Sequence, residues 1–203
     1  MIAVIDYDAG NLKSVEKALL SLGEQVAVTR ERRLLLKADK VILPGVGHFG
    51  NAMKKLEAYG LTEVICELAE RKKPFLGICL GLQLLFERSG EAPGVPGLGL
   101  LKGEICRIPE GPGLKIPHIG WNSLSLKNKG RLFEGMEEEP YVYFVHSYYL
   151  KAEEEGIVKA VTEYGVQIHA SVEQENLFAC QFHPEKSSRT GLKILENFIK
   201  LEV

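Results

Sequence analysis

Cys79 has the surroundings most suited to covalent chemistry. It stands in the run Gly77-Ile-Cys-Leu-Gly81, where an apolar stretch resembling a strand meets a second apolar stretch resembling a helix. With serine in place of cysteine, this pattern forms the strand-turn-helix elbow that lifts a nucleophile clear of a sheet. The first N–H groups of the following helix favour a thiolate over a thiol. Free cysteine is also often a core residue, so the motif alone leaves both catalysis and packing open.

A histidine and a carboxylate much further along the chain are the matching candidates. They lie in the run Ala179-Cys-Gln-Phe-His-Pro-Glu185, after a predicted buried strand. Pro184 disfavours a helix through this point and so keeps His183 at the end of the strand. Glu185 is near enough to fix the imidazole tautomer. By itself His183 is a common kind of strand-end residue, but with Cys79 and Glu185 it predicts a nucleophile-base-carboxylate triad.

A glycine loop, Pro44-Gly-Val-Gly-His-Phe-Gly50, follows another predicted strand. It matches the dinucleotide fingerprint formally, but no acidic residue ends the next strand, and Glu70 lies in a helix instead. We therefore favour a loop that supplies backbone donors. An N–H of this loop, at Val46 or Gly47, and the N–H of Leu80 directly after the cysteine would form an oxyanion hole.

These groups can act together only if several strands end at one edge of a sheet. In the N-terminal half, short apolar runs typical of strands buried on both faces alternate with segments of helical periodicity. Strands are predicted at 2–5, 25–29 and 40–43, and helices at 12–22, 31–38 and 51–59. This order predicts an α/β fold with a doubly wound, mostly parallel sheet, in which ligands bind beyond the carboxyl ends of the strands.

The C-terminal half differs, because hairpin-like strands replace the alternation. Strands are predicted at 101–108, 123–126, 141–150, 157–163, 167–172 and 177–182, so that antiparallel strands extend the parallel sheet. A helix follows Ser188, and the Gly- and Pro-rich segment 89–99 is predicted to be a surface loop. Residues 1–203 are predicted to form a single domain.

Composition narrows the possible partners. The net charge of −2 provides no basic surface for nucleic acid, and no apolar run approaches the roughly 18 residues of a membrane span. The four cysteines and the histidines at 118, 146 and 169 lack metal-ligand spacing, so we expect no metal and no cofactor. A strand that begins at Met1, without a signal-like segment, predicts a cytoplasmic location.

Three longer motifs lie outside the predicted triad. They are Asp6-Tyr-Asp-Ala-Gly-Asn11, Pro117-His-Ile-Gly-Trp-Asn122 and Tyr143-Phe-Val-His-Ser-Tyr148. With the elbow and the His-Pro-Glu run, they resemble the class I, or triad, glutamine amidotransferases over nearly the whole chain. Among these the sequence is most similar to the glutaminase subunits that serve histidine biosynthesis.

The resemblance implies that Cys79 attacks the side-chain amide of glutamine and that a glutamyl thioester releases glutamate and ammonia. It also implies that a peptide of the glycine loop rotates before the loop can donate to the oxyanion. The substrate contacts that the resemblance implies are Gly45, Gly47, Gln83, Ser147 and Tyr148. For Gln83, ordinary packing in the core or on a helix surface is the alternative.

The resemblance further implies a partner, a (β/α)₈ barrel cyclase that receives the ammonia, in a heterodimer. The implied interface consists of Asn11, Pro117, His118, Trp121, Asn122, Tyr143 and Lys186. Trp121 suits an interface, although a core position is equally compatible with composition. Rival interpretations are another triad glutaminase, a stand-alone γ-glutamyl hydrolase, or a non-catalytic interaction subunit.

Two residues depart from the family pattern. Asp8 stands where glycine is more frequent, and His48 stands where a small residue is more frequent. Since aspartate tolerates left-handed backbone better than most residues, we expect the turn at Asp8 to persist.

Overall fold

The N-terminal half alternates strands and helices as predicted. The computed structural model describes residues 1–127 and 130–202. In order, the elements are β1 (Ile2–Ile5), α1 (Leu12–Ser21), β2 (Val26–Thr29), α2 (Arg32–Lys37), β3 (Lys40–Leu43), α3 (Phe49–Ala58), α4 (Leu61–Glu70), β4 (Phe75–Ile78) and α5 (Leu80–Leu84). The predicted boundaries are correct to within about two residues. α4 separates the glycine loop and α3 from the elbow strand.

The C-terminal half contains the antiparallel strands and one long helix. Its elements are β5 (Arg88–Ser89), β6 (Gly103–Arg107), β7 (His118–Ser123), β8 (Ser125–Leu126), β9 (Tyr141–His146), β10 (Tyr148–Ala152), β11 (Val158–Glu163), β12 (Gln167–Gln174), β13 (Leu177–Cys180) and α6 (Ser188–Lys200). Short 3₁₀ turns lie at Arg131–Phe133, Glu155–Ile157 and Pro184–Lys186.

An eight-stranded sheet in the order β2-β1-β3-β4-β13-β12-β11-β8 forms the centre of the molecule. The strands from β2 to β13 in this order pair in parallel, whereas β12, β11 and β8 are added antiparallel. The predicted fold class is thus confirmed. β4 lies between β3 and β13, with Gly77 beside both Leu43 and Ala179. The elbow, the glycine loop and the His-Pro-Glu run therefore leave adjacent strands at the same edge of the sheet.

Helices cover both faces of this sheet, as a doubly wound fold requires. Alternate residues of each parallel strand face opposite sides, so Ala3 and Val4 belong to different apolar clusters. One cluster packs against α2, α3, α4 and α5, and the other against α1 and α6. The strands β1, β3 and β4 are buried throughout, which explains why they are apolar apart from Lys40 at the start of β3.

The predicted strand at 141–150 is wrong in one respect, because the chain changes sheets within it. β9 pairs with β7 in a two-stranded sheet, and β10 pairs with β6 in another. Ser147 lies between them and accepts a hydrogen bond from the N–H of Ile108 at 2.9 Å. The segment is rich in β-branched and aromatic residues throughout, so the sequence contains no sign of the break.

The turn after β1 forms as expected. Asp8 has a left-handed backbone with φ 59°, and its carboxylate accepts hydrogen bonds from Arg30 and Tyr59. His48 is the N-cap of α3, and its Nδ1 accepts the N–H of Gly50 at 3.1 Å. Among residues 1–127 and 130–202, no helix combines the length and apolarity needed to cross a bilayer.

Candidate active site

The elbow brings Cys79 to the carboxyl edge of the sheet in a strained backbone conformation. Its φ is 55° and its ψ is −107°, a combination that is uncommon for a residue with a side chain. Two glycines make the crossing of strand and helix possible. A Cβ at Gly81 would lie 1.9 Å from the Leu43 carbonyl oxygen, and one at Gly77 would lie 2.7 Å from the Gly81 oxygen. Glycine is therefore needed at both positions, because a side chain at either would collide with the backbone.

His183 and Glu185 form a closely coupled pair at the end of β13. The His183 Nδ1 lies 2.7 Å from Glu185 Oε1, and both side chains are fully buried. Because a carboxylate only accepts, Nδ1 carries a proton, and Nε2 is left for other chemistry. Within the described part of the chain, neither Nε2 nor Glu185 Oε2 makes a hydrogen bond.

The sulfur of Cys79 and the imidazole of His183 interact across the β4–β13 pair. Burial lowers the pKa of His183, but interactions with the Cys79 thiolate and the Glu185 carboxylate outweigh it and raise the pKa to about 10. With that pKa, His183 carries a positive charge near neutral pH, next to the Cys79 sulfur. The three residues of the predicted triad lie together.

Asn11 also contacts the pair. Its Nδ2 donates to Glu185 Oε1 at 2.5 Å and lies 3.5 Å from His183 Nδ1. The sequence assigned Asn11 to a partner interface, whereas in the structure its amide binds the carboxylate that orients the histidine. Asn11 adopts a left-handed backbone with φ 74° at the start of α1, a position that asparagine tolerates.

The glycine loop occupies one of the predicted oxyanion donors in this conformation. The Leu80 N–H donates to the Gly45 carbonyl oxygen at 3.3 Å, so one predicted donor is already occupied. The loop is closely packed here, because a Cβ at Gly45 would lie 2.2 Å from the Tyr7 hydroxyl oxygen. Val46 and Gly47 do line the space in front of Cys79.

That space is a cavity of about 270 Å³ beside the sulfur, small compared with the roughly 300–1,000 Å³ of most ligand pockets. Four of the five predicted substrate contacts line it: Gly47, Gln83, Ser147 and Tyr148. Gly45, the fifth, is not among the lining residues. The change of sheets at Ser147 is what turns residues 147 and 148 toward the cavity.

Two lining or neighbouring residues escaped the sequence analysis. Glu91 lines the cavity, and its Oε2 accepts the N–H of Phe49 at 2.7 Å. The segment around it reads as an ordinary surface loop. Gln181 is fully buried beside Cys79, with its Nε2 3.6 Å from the sulfur. The sequence did contain a sign of its role, because Gln181 is a polar residue at the end of an otherwise apolar predicted strand.

Gln83 is buried rather than on a helix surface. Its Nε2 donates to the Tyr148 carbonyl oxygen and to Gln181 Oε1, both at 3.0 Å. The surface alternative for Gln83 is therefore wrong, whereas its burial is compatible with core packing as well as with a place at the cavity.

The residues assigned to a partner interface differ in how exposed they are. Trp121 is 52% exposed, which excludes the core alternative, and Ile119 and Tyr141 beside it on the same two-stranded sheet are each 59% exposed. His118 is only 3% exposed and stacks on Phe144 and Tyr164. The remaining assigned residues are Pro117 at the cavity, exposed Lys186, and partly buried Asn122 and Tyr143.

This fold and site define a class of enzyme. The family described as glutamine amidotransferase class-I matches residues 3–201, and the chain is a member of that class. A crystal structure of a glutamine amidotransferase superposes with a TM-score of 0.77 at 21% identity, covering 98% of both chains. At that identity the likeness concerns the fold.

Relatives within the class are far more similar. The imidazole glycerol phosphate synthase subunit HisH of Aquifex aeolicus is 53% identical over 196 residues, 96% of this chain and 94% of the relative. HisH of Caldanaerobacter subterraneus subsp. tengcongensis is 50% identical over 198 residues, 98% of this chain and 97% of the relative. The chain therefore belongs to the HisH family of glutamine amidotransferase subunits, as the longer motifs predicted.

Proposed function

We propose that the chain, as one glutaminase domain, hydrolyses glutamine to glutamate and ammonia and passes the ammonia to a cyclase partner in histidine biosynthesis. The observation that carries this proposal is that Cys79 lines a small cavity and that His183, paired with Glu185, interacts with its sulfur. Family membership supplies the substrate, since the matching family is that of glutamine amidotransferases.

The first half-reaction forms a thioester. The Cys79 thiolate attacks the side-chain amide carbon of glutamine, and the carbonyl electron pair moves onto oxygen. When the tetrahedral intermediate collapses, the C–N bond breaks and the His183 Nε2–H gives its proton to the leaving nitrogen. The products are ammonia, a glutamyl thioester on Cys79 and a neutral imidazole.

The second half-reaction regenerates the enzyme. Neutral His183 accepts a proton from water through Nε2 as the water oxygen attacks the thioester carbon. Collapse of the second tetrahedral intermediate breaks the C–S bond and releases glutamate. The thiolate and the imidazolium are restored, which is the charge state favoured by the raised pKa of His183.

The oxyanion needs the Leu80 N–H, which the Gly45 carbonyl oxygen occupies in the present conformation. Rotation of the peptide between Gly45 and Val46 would remove the carbonyl from the Leu80 N–H and direct the Val46 N–H inward. Each donor of this kind is worth about 100- to 1,000-fold in kcat in related acyl transfers. We therefore expect slow turnover in the isolated chain, with the rotation as the activating step.

Substrate recognition would use the polar walls of the cavity. The Glu91 carboxylate suits the α-ammonium group of glutamine, because opposite charges attract strongly in a partly desolvated space. Backbone groups at Gly47, Ser147 and Tyr148 suit the amino acid's charged end, and Gln83 forms the wall beside them.

A partner is needed because ammonia released into water would be protonated and lose its nucleophilicity. The HisH relatives are themselves named as subunits of imidazole glycerol phosphate synthase. The exposed apolar patch of Ile119, Trp121 and Tyr141 offers a docking surface. We propose a heterodimer with a (β/α)₈ barrel cyclase, which would use the ammonia to make imidazole glycerol phosphate and an aminoimidazole ribotide.

The test is a glutaminase assay with and without the cyclase and its ligand. Glutamate release should be slow from the purified chain and fast in the complex, and Cys79→Ala should abolish both rates. Cys66→Ala, a half-buried cysteine of α4 outside the cavity, is the matched control and should behave as the parent. Rapid turnover by the chain alone, unchanged by the cyclase, would contradict activation by a partner.

A further inference from the structure

Gln181 is a buried polar residue that the proposed proton transfers do not use. It is 0% exposed and follows β13 directly, two residues before His183. Its backbone N–H donates to the Ala170 carbonyl oxygen at 2.9 Å, which fixes the main chain. The nitrogen and the oxygen of its side-chain amide each contact a residue that lines the cavity.

The two ends of this amide meet different partners. Nε2 lies 3.6 Å from the Cys79 sulfur, and Oε1 accepts the Nε2–H of Gln83 at 3.0 Å. Gln181 and His183 both face Cys79, since the side chain of each interacts with the sulfur. The sulfur thus lies between an amide donor and an imidazolium, the two kinds of group that stabilise a thiolate.

A chain of hydrogen bonds determines which way this amide points. The Tyr148 carbonyl oxygen accepts from Gln83 Nε2 at 3.0 Å and from His146 Nδ1 at 2.9 Å. Because a carbonyl cannot donate, Gln83 must direct its N–H groups toward Tyr148 and Gln181. Gln181 then has to offer its oxygen to Gln83, which leaves its N–H groups for the sulfur.

Two neutral histidines anchor the outer end of this chain. Burial lowers the pKa of His118 to about 4 and that of His146 to about 3, so each ring carries one N–H near neutral pH. His146 uses its Nδ1–H on Tyr148, and its Nε2 therefore accepts from His118 Nδ1, 3.0 Å away. Each donor in the chain has one acceptor available, so the arrangement is unambiguous.

We propose that Gln181 is a positioning residue of the glutaminase reaction, whose amide N–H orients the Cys79 thiolate and whose amide oxygen holds Gln83 at the cavity wall. This inference rests on the proposed function of Cys79 as the nucleophile. The amide takes no part in proton transfer. It keeps the sulfur in line with the substrate carbon. The hydrogen bond between its oxygen and Gln83 also disfavours the inverted orientation of the amide, in which the oxygen would face the thiolate.

The test compares two substitutions that differ in the group facing the sulfur. Gln181→Met keeps the length of the side chain and removes both polar groups. Gln181→Glu keeps the shape and the acceptor toward Gln83 but places an oxygen against the thiolate. Gln167→Met is the matched control, because Gln167 is an exposed glutamine whose amide donates to the surface residue Glu163.

Two measurements apply to each variant. In the complex with cyclase and its ligand, we expect kcat to fall about 10- to 100-fold for Gln181→Met, the range for a hydrogen bond to a charged group, with KM within about threefold. The kcat of Gln181→Glu should fall at least as far. In the isolated chain, mass spectrometry should find iodoacetamide alkylation of Cys79 slowed by a similar factor, with Cys66 and Cys106 unaffected.

The outcomes separate the two proposals. If kcat and Cys79 alkylation stay within twofold of the Gln167→Met control while the melting temperature falls, Gln181 is only a buried structural residue. If Gln181→Met fails to fold, the nearly isosteric Gln181→Glu decides between the same results. Absence of glutaminase activity in the parent complex would overturn the proposed function, and the alkylation rates would still report whether Gln181 acts on the sulfur.

Discussion

His183 has a different charged neighbour at each of its ring nitrogens. Nδ1 faces the Glu185 carboxylate at 2.7 Å, and the remaining nitrogen serves the Cys79 side. Asn11 adds a second donor to the same Glu185 oxygen, at 2.5 Å. With Oε1 accepting from two donors, the carboxylate is held in place while the imidazole exchanges its proton. In the proposed mechanism, the proton transfers therefore depend on a carboxylate that does not contact the substrate.

Glu185→Gln should change the pH dependence of glutamine hydrolysis. Burial lowers the pKa of His183, while Cys79 and Glu185 together raise it to about 10. Removing the carboxylate lowers this pKa, so the imidazolium is lost at a lower pH and the alkaline fall in kcat/KM moves toward neutrality. A wrong tautomer also becomes accessible, and we expect kcat to fall by several orders of magnitude, as for triads that lose their carboxylate.

The measurement is a pH–rate profile of the activated complex, with Glu110→Gln as the control. Glu110 is a surface residue whose carboxylate pairs loosely with Arg107 at 3.4 Å. Its profile should coincide with that of the parent. An alkaline limb unmoved in Glu185→Gln would mean that Glu185 does not set the charge of His183.

At the scale of elements, the catalytic edge depends on backbone crossings too close for side chains. α5 passes directly over the end of β3, with Gly81 against the Leu43 carbonyl. The same crossing allows the Leu80 N–H to reach the Gly45 oxygen, so elbow and glycine loop are coupled through main-chain contacts. The resting state of the oxyanion region is therefore a property of how these elements pack.

Gly81→Ala should destabilise the fold. The added Cβ would lie 1.9 Å from the Leu43 carbonyl oxygen, and a backbone atom cannot move aside by changing rotamer. We expect a loss of about 1–3 kcal/mol or more in the free energy of unfolding, the usual cost of overpacking. Denaturant titration of the isolated chain measures it.

Gly156→Ala is the matched control, because a Cβ there meets nothing within 4 Å and the backbone is not left-handed. It should unfold at nearly the parental denaturant concentration. Equal stability of the two variants would refute the close crossing at Gly81.

At the scale of the whole molecule, the catalytic cavity and the exposed apolar patch belong to neighbouring structure. β7 and β9 form the small sheet that carries Ile119, Trp121 and Tyr141, and the chain leaving β9 enters the cavity wall at Ser147. A partner bound on this sheet would therefore rest on the chain that shapes the cavity. This arrangement suits an enzyme whose ammonia must reach a second active site.

Trp121→Ala should weaken binding of the cyclase and leave the fold intact. Trp121 is 52% exposed, so its removal creates no cavity in the core. A tryptophan at the centre of an interface contributes about 2 kcal/mol or more, which corresponds to roughly a 30-fold rise in Kd. Titration calorimetry with the cyclase measures the change.

Leu20→Ala, at an exposed apolar residue of α1, is the control and should bind the cyclase as the parent does. Unchanged affinity in Trp121→Ala would place the docking surface elsewhere. The unfolding temperature of both variants should match that of the parent.

The sequence by itself determined the fold class and the catalytic candidates. The buried parallel strands need uninterrupted apolar residues, and the elbow needs small residues at fixed spacing on both sides of Cys79. Both requirements concern a few neighbouring residues, so both can be predicted from the amino-acid sequence. The motifs around them were sufficient to indicate the glutamine amidotransferase class.

Only the tertiary structure decided what each polar group binds. The change of sheets at Ser147, the burial of His118 and the contacts of Gln181 all depend on segments distant in sequence. The Leu80 N–H, predicted to be an open donor, is occupied by Gly45. The physical reason is that an apolar pattern determines which face of a strand is buried, whereas a hydrogen bond requires two groups to meet at a distance and angle that only the packed chain defines.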